Sequence, residues 1–212
     1  MSRQARLQLR SSAKRVALFR ALPPPTGAVV FLGDSITEGC AWEGWFPELR
    51  TANRGISGDR VAQMTARLDS ALHRPAVVSI LAGTNDLHLG DSRQPDAIAD
   101  RFRLLVTAVR DGAPEAALLV NSVLPRQQRF ADRIEALNAR YRQIAATAGA
   151  RYLDLWPVLA APDRSLRREL TVDGLHLNAA GYRAWVEILR PHLLAHPSAR
   201  RLARPPAPGE RA

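Results

Sequence analysis

Five strand-sized apolar segments, alternating with stretches of helical periodicity, constrain this chain more than any other feature. They are Ala28-Val29-Val30-Phe31-Leu32, a weaker Thr51-Ala52-Asn53, Ala76-Val77-Val78-Ser79-Ile80-Leu81, Ala116-Ala117-Leu118-Leu119-Val120 and Ala150-Arg151-Tyr152-Leu153-Asp154. The first, third and fourth are almost continuously apolar, as strands covered on both faces must be. Between them the period changes to three or four residues. Val61, Met64, Leu68 and Leu72 form one stripe; Ile98, Phe102, Leu105 and Val109 a second; Ile134, Leu137, Tyr141 and Ile144 a third. Ser57 and Asp96 stand where N-caps are expected, and a last helix follows Asn178 with Tyr182, Trp185, Val186 and Leu189 on one face. Such alternation predicts a parallel sheet, and right-handed crossovers make it a three-layer α/β/α, doubly wound domain.

The 212 residues suffice for one such domain, expected over residues 23–196. Residues 1–22 read as a basic helical segment, with Ala13, Val16, Ala17 and either Leu9 or Phe19 as its apolar stripe, and Pro23-Pro24-Pro25 separates it from the first strand. Residues 197–212 read as a disordered Arg/Pro-rich tail. The net charge of +10 is confined to these ends: residues 1–22 carry +6, residues 190–212 carry +4, and residues 23–189 balance. A basic groove across the domain, and with it nucleic acid as a partner, is therefore not expected. No apolar run approaches the roughly 18–20 residues of a membrane span, so no stable membrane insertion is expected. There is no signal-like apolar core near the start, and the single cysteine, Cys40, needs no oxidising compartment. The expected location is cytoplasmic.

Open parallel sheets gather their functional groups at the carboxyl ends of the strands. Here Gly33-Asp34-Ser35-Ile36-Thr37-Glu38-Gly39 follows the first strand, Asn53-Arg54-Gly55-Ile56-Ser57-Gly58-Asp59 the second, and Gly83-Thr84-Asn85-Asp86 the third; Asp173-Gly174-Leu175-His176 precedes the last helix. A serine hydroxyl is a weak nucleophile that needs an adjacent base, itself oriented by a carboxylate. Ser35 is the candidate nucleophile, His176 the base, and Asp173, three residues before it, the orienting group. The oxyanion formed by attack requires preorganised donors, for which the backbone N–H groups of Ser35 and Gly55 and the side-chain amide of Asn85 are the candidates. Asp34 is suited to orienting the Ser35 loop. Trp42, Trp45 and Phe46 suit either a substrate pocket or ordinary core packing. His73, His88, His192 and His196 lack the spacing of metal ligands, and Cys40 lacks a partner for metal or redox chemistry.

These four blocks, in this order, resemble those of the SGNH hydrolases, the GDSL esterase/lipase superfamily. The resemblance runs from about Val29 to Trp185 and pairs Ser35, Gly55, Asn85 and the Asp173–His176 pair with the family's four blocks. It implies a flavodoxin-like sheet of five parallel strands, no cofactor, and small acyl esters or thioesters as substrates. The Asn53–Asp59 segment further resembles bacterial relatives of platelet-activating-factor acetylhydrolase catalytic subunits, which implies a short acyl group such as acetyl. Two other classes remain open on the residues alone. One is a metal-dependent phosphoesterase, for which Asp34, Asn85, Asp86, Asp173 and His176 are possible ligands. The other is a non-catalytic flavodoxin-like binding domain, which the acidic pair Asp34 and Glu38 disfavours as a phosphate cradle.

Overall fold

The computed structural model describes residues 3–89 and 94–199, and for residues 3–10 and 89 the backbone alone. The elements run α1 (Arg3–Ala21), β1 (Val29–Gly33), α2 (Ser35–Glu38), α3 (Trp42–Trp45), β2 (Thr51–Gly55), α4 (Val61–Ala66), β3 (Val77–Leu81), α5 (Thr84–Leu89), α6 (Pro95–Gly112), β4 (Ala117–Asn121), α7 (Ala131–Thr147), β5 (Arg151–Leu153), α8 (Trp156–Leu159) and α9 (Ala179–Leu194). All five strands are parallel, in the order β2-β1-β3-β4-β5. Each apolar segment named above became a strand. The sheet is sandwiched between helices, as the alternation of periods predicts.

The alternation of side chains along each strand divides the core in two. Leu32, Val78, Ile80, Leu118 and Val120 pack under the stripes of α4, α6 and α7, including Phe102 stacked on Tyr141 at 3.7 Å between centroids. Val29, Phe31, Val77, Leu81 and Leu119 pack on the other face against α3 and α9. There Trp42 stacks on Phe31 at 3.7 Å and meets Trp185 edge-on at 5.0 Å, with Phe46 fully buried beside them. Trp42 and Phe46 are thus core residues rather than pocket lining, and Cys40 is buried next to them, its thiol pushed up to about 12 by desolvation.

Several local expectations need correction. Ser57 does not cap α4: the N-cap is Arg60, and Ser57 is held elsewhere by Glu38. Asp96 lies inside α6, whose N-cap is Gln94 ahead of Pro95 at the first helical position, and its carboxylate pairs with Arg140. Asn178 does cap α9, its side chain accepting from the Ala180 and Gly181 amides. The expected stripe of α1 holds only in part: Ala13 and Ala17 are exposed and Val16 is half-buried, whereas Phe19 is buried beneath the guanidinium groups of Arg15 and Arg54. Pro197–Ala199 is a packed turn, with Ala199 buried and its carbonyl accepting from the Arg50 amide, so the folded body extends three residues past the expected boundary. The rest of the expected tail, residues 200–212, lies outside the described residues. Among those described, no helix is long and apolar enough to cross a membrane.

Candidate active site

Register brings the chemistry-bearing loops to one edge. Gly33, Gly55 and Leu81 lie level at the carboxyl ends of β1, β2 and β3, so the residues after them emerge side by side. The chain passes from β1 to β2 on one side, then crosses to β3 on the other, making this edge the switch point of the sheet, where doubly wound folds keep their ligand crevice.

Ser35 opens α2, a single turn that Asp34 starts by accepting the Ile36 amide at 3.0 Å. The Ser35 hydroxyl lies 2.9 Å from His176 Nε2, although the two residues are 141 positions apart. His176 Nδ1 lies 2.6 Å from Asp173 Oδ2, while Asp173 Oδ1 accepts from the amides of Leu175 at 2.9 Å and His176 at 2.7 Å. Partial desolvation pushes the Asp173 carboxyl up, but the bonds from the His176 ring and these two amides outweigh it and hold the group below its ordinary range. An ionised Asp173 bonded at Nδ1 fixes the tautomer that leaves Nε2 free to accept the serine proton. The structure therefore assembles Ser35, His176 and Asp173 into one hydrogen-bonded chain.

The expected donors for a developing oxyanion fare differently. The Ser35 N–H meets no acceptor among the described residues. Asn85 spends one amide hydrogen on the Asp59 carbonyl at 3.0 Å, which pins the amide beside the loop after β2 and leaves its second hydrogen. Gly55 is different. Its N–H donates to Asn53 Oδ1 at 2.9 Å, and a Cβ there would sit 2.2 Å from the Glu38 nitrogen. The glycine is required because the ends of β2 and α2 touch, not because substrate approaches it. The uncommitted N–H in that loop belongs to Gly58, partly exposed and at φ +79°, a conformation that favours glycine. Sequence reading passed over it in favour of Gly55; its position in a turn three residues past the strand was the available signal.

Two further groups shape this edge. Glu38 accepts from the Ser57 amide at 2.6 Å and hydroxyl at 2.5 Å and pairs with Arg15 at 3.1 Å, linking the helix that Ser35 opens, the Gly58 loop and α1. Beneath them, buried Arg67 pairs with Asp59 at 2.6 Å and donates to the carbonyls of Gly33 and Arg54. Asp86, a possible metal ligand on its residue type, accepts from the Val61 amide at 3.0 Å. The described residues contain no group of three or more His, Cys, Asp or Glu placed to hold a metal ion.

Asp34 is fully buried, and its Oδ2 has no partner. Burial pushes its carboxyl from 3.8 up to about 7, against the opposing pull of the Ile36 amide and His176. The folded protein therefore binds a proton that the unfolded chain releases near its ordinary value. This contribution to stability is complete below about pH 4 and is lost as pH rises through about 7, a change of about 4 kcal/mol. Urea denaturation across that window should show Asp34→Asn flattening the decline relative to wild type. Parallel pH profiles of the two proteins would contradict the assignment.

Comparison with known proteins identifies the family. Residues 31–184 match the model of the GDSL-like lipase/acylhydrolase family. A platelet-activating factor acetylhydrolase IB subunit beta homolog from Drosophila melanogaster is 28% identical over 123 residues, 55% of this chain and 52% of its own length, so the chain spans about half of that relative. Among solved structures, a Streptococcus pneumonia protein provisionally assigned as a platelet activating factor superposes with a TM-score of 0.81 at 23% identity, covering 89% of this chain and 95% of its own. A GDSL-like lipase from Bacteroides thetaiotaomicron gives 0.71 at 26% identity, covering 84% and 95%.

Proposed function

From the premise that this chain belongs to the GDSL-like lipase/acylhydrolase family and is a carboxylic ester hydrolase, we propose that it cleaves small, short-chain acyl esters through an acyl intermediate on Ser35. The observation that carries the reading is the unbroken chain of contacts from Ser35 Oγ through His176 to Asp173. In this mechanism His176 takes the Ser35 proton as the hydroxyl attacks, donates it to the departing alcohol, and then activates the water that releases the acid. Asp173 stabilises the imidazolium throughout. The oxyanion is met by the N–H groups of Ser35 and Gly58 and by the Asn85 amide; the Gly58 assignment rests on its free N–H and on the engagement of Gly55 with Asn53. No step calls on a cofactor. The acetyl preference is supported by the name of the Drosophila relative, an acetylhydrolase, and by the Asn53–Asp59 segment. A cytoplasmic location is part of the same reading.

A fluorophosphonate should inactivate the enzyme with one adduct per chain, found by mass spectrometry on the peptide containing Ser35. A series of 4-nitrophenyl esters should then show kcat/KM falling as the acyl chain lengthens beyond a few carbons. An adduct elsewhere with full inactivation would sink the nucleophile assignment, and a preference for long chains would sink the acetyl reading.

A further inference from the structure

Arg126 is the anomaly at this edge of the molecule. It follows β4 and is only 6% exposed, yet among the described residues it forms no ion pair with a carboxylate. Placing a guanidinium out of water is costly unless it is paired. Arg67, buried on the other side of the switch point, obeys that rule through Asp59. Arg54, also buried, is covered by α1, with Phe19 against its face and the Leu22 carbonyl accepting from it. Arg126 shares the second solution only in part, and unlike Arg54 it lines a cavity. Its flat face lies on Phe130 at 4.1 Å, Nε reaches Gln127 at 3.1 Å, and Nη1 makes two long contacts, at 3.3 Å each, to the carbonyl and hydroxyl of Thr84. Nη2 has no acceptor among the described residues.

The surroundings of that guanidinium belong to the active-site edge. Thr84 precedes Asn85, and the carboxylates whose charge reaches Arg126 are Asp173 and Asp34, the one orienting His176 and the one preceding Ser35. Arg126 lines a cavity of about 340 Å3 together with Thr171, Asp173 and Gly174, from the turn that carries His176, and with Arg168. That volume is within the usual range for small-ligand pockets, which is roughly 300–1,000 Å3. The one acid in the wall, Asp173, is already engaged by His176 and two amides. The cavity therefore presents a buried cation with an open donor, shares Asp173 with the Ser35–His176–Asp173 chain, and has no spare anion of its own.

We propose that Arg126 is a specificity-determining residue that receives an anionic oxygen group, a carboxylate or a phosphate, carried by the ester that Ser35 attacks. The inference rests on the esterase reading above and narrows its substrates from short acyl esters in general to those bearing a negative charge. A guanidinium fits this task because it stays charged and its Nη2 hydrogens, which Nε and Nη1 do not tie up, make charge-assisted hydrogen bonds to such an oxygen.

The test compares kcat/KM for wild type, Arg126→Gln and Arg126→Lys on three esters: neutral 4-nitrophenyl acetate, mono(4-nitrophenyl) succinate with a carboxylate on the acyl side, and 2-acetoxyethyl phosphate with a phosphate on the alcohol side. The readout is the ratio of each charged ester to the neutral one. For at least one charged ester Arg126→Gln should lower that ratio by about 10–100-fold, with Arg126→Lys in between. Which ester responds distinguishes carboxylate from phosphate. Ratios that move less than about threefold in both cases overturn the proposal, as they would if Arg126 served only to brace Thr84. Should Arg126→Gln fail to fold, wild type decides: inorganic phosphate or succinate should inhibit acetate hydrolysis competitively at constant ionic strength, and inhibition by neither overturns the proposal. Wild type inert towards all three esters would mean that the esterase reading has failed, and this one with it. Hydrolysis of the neutral ester with unmoved ratios removes this inference alone.

Discussion

Ser35→Ala is expected to lower kcat for 4-nitrophenyl acetate by at least about 10⁴-fold, leaving only the residual catalysis that binding and oxyanion donors provide. The substitution removes one oxygen from a partly exposed side chain whose bonded partner is the His176 ring. That ring is itself 37% exposed and can turn to water instead, so unfolding free energy should stay within about 1 kcal/mol of wild type. The pairing of these two results is what identifies a nucleophile: chemistry lost, fold retained. A variant that folds and keeps more than about 1% of wild-type kcat would remove Ser35 from the mechanism.

Asp173→Asn should have the next largest effect, a fall in kcat of about 10²–10⁴-fold with KM much less changed. The asparagine carbonyl can still accept from the Leu175 and His176 amides, which preserves the turn. Its NH2 group, however, would face Nδ1 where Oδ2 now stands at 2.6 Å. The imidazole would then carry its proton on Nε2 and donate to Ser35 rather than accept from it, and the base would be lost. Asp173 is half exposed, with a side-chain accessibility of 49%, so water can weaken the effect relative to a buried carboxylate. A fall in kcat of less than about tenfold would mean that His176 is oriented by something else.

Most of this was open to inspection in one dimension. Continuous apolar strands and three-residue or four-residue stripes are direct consequences of burying a sheet on both faces, so Val29–Gly33, Val77–Leu81 and Ala117–Asn121 could be located to within a residue. The serine, histidine and aspartate could be named because their chemistry requires those residue types and because each follows a strand or precedes the last helix. Where the reading erred, the deciding contact was between segments distant in sequence. Gly55 has the composition of an oxyanion donor, but its amide is taken by Asn53 and its missing Cβ makes room for the backbone of Glu38. Ser57 has the composition of an N-cap, but Glu38 claims both its donors. Trp42 and Phe46 follow the nucleophile closely, yet the aromatic stack on Phe31 and Trp185 draws them into the core.

Arg126 was invisible for the same reason. One arginine among many carries no signal until its burial and its lack of a carboxylate are known. Hydrophobic period and residue chemistry act along the chain, so the sequence by itself determined the layered parallel sheet and put forward Ser35, His176 and Asp173 as candidates. Which amides stay free, which carboxyl is stripped of water at Asp34, and which cation, at Arg126, is left with an open donor depend on neighbours brought together across the switch point. Only the tertiary structure decided those, because a hydrogen bond or an ion pair is satisfied in space rather than along the chain.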